Sequence, residues 1–153
     1  MKKTLLTLIL SFLFLFPFFS SSQNYQQTKN YISIGFLDHK TGNSAIGYTR
    51  SFLQNKNNEL FVGFGTMIAI NTFVIGYKKY WLRSFIDGYS AITLQKIYGM
   101  GGELNAVGLS FGFEKKIWKL LFINIGINST IELSTLKSVD FLTLPSLGLS
   151  LRY

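Results

Sequence analysis

Beyond residue 22 the chain is organised by period-two alternation. Apolar and polar positions trade places along short runs, and each run ends in a cluster of Gly, Asn, Ser or Lys. That pattern predicts strands joined by hairpins. Eight runs are predicted, over residues 31–37, 44–53, 59–68, 73–81, 85–96, 104–114, 120–130 and 141–153. The pieces between them are short: DHKTGN, QNKNN, AINT, LRS, IYGMGGE, KKIWK and IELSTLKSVD. No helical period persists for more than a turn or two.

The two faces of these strands differ in kind. One face of the seventh run carries Leu121, Ile123, Ile125 and Ile127, while the other carries Phe122, Asn124, Gly126 and Asn128. The sixth run sets Val107, Leu109, Phe111 and Phe113 against Ala106, Gly108, Ser110, Gly112 and Glu114. A water-soluble barrel or sandwich hides its bulky apolar face and shows a charged one. Here the second face is small or polar instead. It holds Gly35, Gly47, Gly63, Gly65, Gly76, Gly108, Gly112, Gly126 and Gly148, nine of the 14 glycines. Glycine weakens a solvent-facing strand but suits the cramped lumen of an eight-stranded barrel. The prediction is an all-β fold: an up-and-down antiparallel eight-stranded transmembrane β-barrel with its apolar face toward lipid. Closed barrels satisfy every backbone polar group in a bilayer. Eight spanning strands of about 9–11 residues each fit the length.

The N-terminus supports export. Residues 1–22 read MKKTLLTLILSFLFLFPFFSSS, with Lys2 and Lys3 ahead of an apolar stretch and small Ser20 and Ser22 before Gln23. This is the layout of a cleaved signal peptide; Pro17 and the short run argue against an anchor helix. The expected division is a signal peptide at 1–22 and a barrel domain at 23–153. Charged residues make up only 14% of the chain and cysteine is absent. The absence of cysteine excludes a disulfide framework and thiolate metal sites, and the apolar, aromatic composition excludes disorder. With one histidine, His39, multi-histidine metal sites are excluded too, and no cofactor is expected.

The last strand carries a more specific signal. Ser146-Leu147-Gly148-Leu149-Ser150-Leu151-Arg152-Tyr153 resembles the terminal motif of bacterial outer-membrane barrels. Taken with the eight alternating runs and the leader, the chain resembles the small OmpA/OmpX-type barrels over nearly its whole length. The resemblance implies that Gly148, Leu151 and Tyr153 are read by the barrel-assembly machinery during insertion. It also implies residence in the cell outer membrane, with lipids as the surroundings. The connections are shorter than the long polar loops common in that group, which argues against receptor-binding or adhesin roles.

With both termini in the periplasm, LRS, QNKNN and KKIWK become periplasmic turns, and DHKTGN, AINT, IYGMGGE and IELSTLKSVD become outer loops. A periplasmic aromatic girdle is then expected from Phe52, Tyr80, Trp81, Trp118 and Tyr153. Arg50, Lys56, Lys78, Lys79, Arg83, Lys115, Lys116, Lys119 and Arg152 fall at the same end. The outer end keeps Lys40, Lys96 and Lys137 against Asp38, Glu103, Glu132 and Asp140. Lys78, Glu114 and Arg152 share the lumen phase and are expected to pair, because an isolated buried charge is costly. No nucleic-acid motif is present, and the basic excess belongs to a membrane rim. The expected role is a non-enzymatic, monomeric structural or envelope-interaction barrel. Two alternatives are a lipid-modifying barrel enzyme using His39, beside Asp38, Thr41 and Ser44, and a soluble lipocalin-like exported barrel holding an apolar ligand.

Overall fold

The computed structural model describes residues 30–55, 57–99, 101–133 and 141–153. The expected signal peptide at 1–22 and residues 23–29 lie outside the described residues, as do Lys56, Lys137 and Asp140. Eight strands follow in order: β1 (Asn30–Phe36), β2 (Ile46–Gln54), β3 (Asn58–Met67), β4 (Ile70–Leu82), β5 (Asp87–Gly99), β6 (Gly102–Lys116), β7 (Leu121–Glu132) and β8 (Phe141–Arg152). Each pairs antiparallel with the next, and β8 pairs with β1 to close an up-and-down barrel. All eight predicted runs therefore form strands. The loops expected at AINT and IYGMGGE shrink to two residues each, because the β3–β4 ladder runs on to Met67↔Ile70 and the β5–β6 ladder to Gly99↔Gly102.

The stagger of the barrel is large. A path taken directly across the ladders from Asn30 runs through Arg50, Val62, Ile75, Leu94, Val107 and Ile131 to Phe141. It begins at the rim that holds Tyr153 and ends at the opposite rim, so one circuit climbs about twelve residues along the strands. Tilt, stagger and width are linked, and this stagger opens a lumen wider than eight strands need.

The first connection fills that space. β1 ends at Phe36, Leu37 turns with φ 56°, and residues 37–44 enter the lumen instead of projecting outward. Asp38, His39, Lys40, Thr41 and Ser44 are all buried. The DHKTGN segment is thus an internal plug, which corrects its assignment as an outer loop and removes Asp38 and Lys40 from the outer rim. The reason is steric and polar together. The glycine-rich wall leaves room for a backbone, and the loop's polar groups find partners inside: Asn128 Nδ2 donates to the Leu37 carbonyl, and Gly42 N–H donates to the Asp38 carbonyl at 2.7 Å.

The glycines of β2 and β3 are shaped to this loop. A Cβ on Gly63 would collide with the Lys40 carbonyl oxygen, one on Gly47 with the Thr41 side chain, and one on Gly65 with Ser44. At the tip, Gly42 adopts φ +71°, a conformation open to glycine at little cost.

Because β1 turns inward early, residues 141–146 of β8 extend past its end and pair with β7 alone among the described residues. Tyr153 N–H points to β1, bonding Asn30 O at 3.0 Å, whereas Arg152 N–H points the other way to Leu120 O at 2.9 Å. Alternation then aims the nitrogen of Pro145 at the side β1 has vacated. A proline fits mid-strand here because no ladder partner is lost.

Gly63→Val is expected to expel the loop while leaving the barrel closed. Lys40, 3% exposed in the wild type, should then become a trypsin site in the folded protein. Continued protection of Lys40 in a folded Gly63→Val barrel would contradict the packing described.

Candidate functional site: the filled lumen

Alternation brings charged side chains from strands far apart in sequence to one axis. Near the Tyr153-bearing rim, Glu114 of β6 receives Lys78 Nζ of β4 at 2.6 Å and Arg152 of β8 through Nη1 at 3.0 Å and Nη2 at 2.6 Å. Tyr80 donates its hydroxyl to the same carboxylate at 2.7 Å. Four donors thus converge on a group that is 1% exposed. The fork geometry of arginine against a carboxylate is the strong, directional form of this contact. The sequence-predicted trio Lys78, Glu114 and Arg152 is brought together in one cluster.

Tyr80 belongs to this cluster and not to the outer girdle. Lys78 faces inward, so Tyr80 two residues on does too, and Trp81 takes the outward phase, packing edge-on to Phe113 with centroids 5.6 Å apart. Lys78 and Arg152 are likewise lumenal and leave the rim. Of the expected girdle, Phe52, Trp118 and Tyr153 are exposed at the rim. Gly148 lies on the inward face beside Asn124, while Leu151 and Tyr153 face outward.

Beside this cluster, where Glu59 of β3 is in register with Lys78, the plug adds a second one. Lys40 Nζ lies 2.5 Å from Glu59 Oε1 and 3.4 Å from the centroid of Tyr31. Ser51 also donates to Glu59. His39 lies between the clusters, its ring 4.4 Å from that of Tyr89. Tyr89 in turn has Lys78 Nζ 3.9 Å from its centroid. Three buried carboxylates, Asp38, Glu59 and Glu114, therefore stand among three buried cations, Lys40, Lys78 and Arg152. Such groups tolerate burial only when paired and hydrogen-bonded.

His39 sits in the plug, outside the strands, and burial pushes its imidazole down to about 4, with the charge of Lys78 acting in the same direction. At neutral pH the ring is uncharged. Its Nδ1 lies 3.1 Å from Asp38 Oδ1; an ionised carboxylate only accepts, so Nδ1 carries the proton. Nε2 has no hydrogen-bond partner among the described residues, and the Ser44 hydroxyl donates to Thr41 Oγ1 at 2.7 Å. A nucleophile activated by His39 needs a hydroxyl on that free nitrogen. The geometry offers none among the described residues, and it holds His39 inside the barrel.

The pairing of Lys40 with Glu59 was not anticipated from the sequence. The signal lay in Glu59 itself, an inward-phase carboxylate whose cross-strand neighbour Lys78 is already engaged by Glu114. Among the described residues no group of acidic, histidine and cysteine side chains could hold a metal. No family model, curated protein or solved structure matches the chain.

Glu114→Ala leaves Lys78 and Arg152 buried without their counter-ion and should cost about 3–5 kcal/mol of stability. Tyr80→Phe removes one hydrogen bond to that charged group and should cost about 1.5–3 kcal/mol. Urea unfolding of the detergent- or vesicle-embedded barrel measures both. A loss for Glu114→Ala no larger than that for Tyr80→Phe would contradict the central place given to this carboxylate.

Proposed function

We propose that the chain is a small integral outer-membrane β-barrel with a closed lumen and a structural or envelope-interaction role, exported by its N-terminal leader. The observation that carries this reading is the inversion of the wall. Ile34, Leu94, Phe111, Ile125 and Leu147 lie in mid-strand on the outside and are each more than half exposed. A continuous apolar belt of this kind far exceeds the few hundred Å² that a soluble monomer tolerates. Asp38, Lys40, Glu59, Lys78, Glu114 and Arg152 are inside, which is the arrangement a bilayer selects. It is a poor setting for an apolar ligand of lipocalin type, and the enclosure of His39 gives a lipid-modifying reaction no access route.

Orientation follows from the termini. With Asn30 and Tyr153 at the periplasmic rim, the plug enters from the outer side and the Glu114 cluster closes the inner side. Both halves of the lumen are filled, so the barrel is read as non-conducting, acting as a monomer among outer-membrane lipids, with no cofactor and no nucleic acid. Gly148, Leu151 and Tyr153 would serve the assembly machinery.

The protein should fractionate with outer membranes, migrate faster on gels when unheated than when boiled, and give no steady conductance in planar bilayers. Recovery in the soluble periplasmic fraction would overturn the membrane reading, and steady unitary currents would overturn the sealed lumen. Tyr153 also makes a reciprocal pair of 3.0 Å backbone bonds with Asn30 across the closing seam. Its deletion should therefore lower the protease-resistant fraction in intact outer membranes. An unchanged fraction would deny the terminal strand its role.

A further inference from the structure

The turns at the Tyr153-bearing rim are unlike water-facing turns. The β4–β5 turn presents Phe85 at 77% exposure and Ile86 at 39%, and the β6–β7 turn presents Ile117 at 56% and Trp118 at 72%. The end of β6 meets the β4–β5 turn: Lys115 Nζ lies 3.7 Å from the centre of the Phe85 ring. Lys116 ends β6, Lys119 lies in the β6–β7 turn, and both are exposed. Among the described residues, none of these three lysines has a carboxylate within ion-pair distance, whereas Arg83 nearby pairs with Asp87 at 3.0 Å.

The opposite rim is different. There Lys96 is matched by Glu103 at 2.7 Å, and Glu132 adds a negative charge. Among the described residues the unmatched cations lie at one rim, interleaved with exposed aromatic and aliphatic side chains, and that is the surface an anionic headgroup layer attracts.

We propose that the rim formed by the β4–β5 and β6–β7 turns is a docking surface for anionic phospholipid. Lys115, Lys116 and Lys119 hold the phosphate, and Phe85, Ile117 and Trp118 enter the boundary between headgroups and acyl chains. The inference rests on the membrane reading above and names the lipid chemistry at one end of it. Lys115 is positioned by the Phe85 ring and so presents its ammonium at a fixed place.

The test uses the full chain inserted into vesicles of equal parts phosphatidylcholine and phosphatidylglycerol. Barrels are then extracted in mild detergent and their retained lipids read by native mass spectrometry. The wild type should retain phosphatidylglycerol over phosphatidylcholine by at least about fivefold, the gain from one basic residue at a charged surface. Lys115→Gln/Lys116→Gln/Lys119→Gln should bring the two lipids to parity, while Lys96→Gln at the other rim should keep the wild-type preference. High salt should abolish the wild-type preference, which provides a readout independent of the variant's folding. Equal retention by the wild type, a salt-insensitive preference, or an undiminished preference in the folded triple variant would overturn the proposal. A wild type that does not enter the vesicles defeats the membrane reading itself, a distinct result seen before any lipid is counted.

Discussion

A barrel wall staggered as steeply as this one encloses more space than its own inward side chains can fill, and close packing does not tolerate the remainder. The chain meets this constraint by turning a connection inward. Ending β1 at Phe36 sends residues 37–44 into the lumen, and the glycines at 47, 63 and 65 give that backbone a bed. The same early turn frees the edge of β8 on which Pro145 sits. Loop, glycines and proline are thus one solution to one packing problem.

Filling the lumen with polar chain creates an electrostatic problem, since a sealed interior holds charge only in pairs. Glu114 and Glu59 meet it from the wall, one with Lys78 and Arg152, the other with Lys40 brought in by the plug. The loop therefore contributes a counter-ion as well as volume. Tyr31, Tyr80 and Tyr89 span the gap between the two clusters, offering ring faces to cations and, from Tyr80, a hydroxyl to Glu114.

Period-two alternation made the strands readable, because a wall residue's face depends only on its parity. The phase of Glu114, Lys78 and Arg152 followed from that rule, and so did the nine inward glycines. Tyr80 was misplaced where aromatic type was weighed above parity: two residues from Lys78, it has no outward option. The plug was hidden for a different reason. A turn-rich segment such as DHKTGN has the same composition whether it meets water or a polar lumen, and the decisive facts, the width set by the stagger and the Glu59 carboxylate opposite Lys40, are properties of the assembled ring. The rim charges were legible as composition, but their separation from the lumenal Lys78 and Arg152 needed the fold.

The central claim is that the wall is inverted, apolar outside and polar within. The chain has no cysteine, so single spin-labelled cysteines can be placed at consecutive positions 146–151 of β8 in the membrane-inserted barrel. Collision with lipid-soluble oxygen should be high at 147, 149 and 151 and low at 146, 148 and 150, alternating with period two. Collision of a water-soluble nickel chelate at 147, 149 and 151, in place of oxygen, would contradict the account.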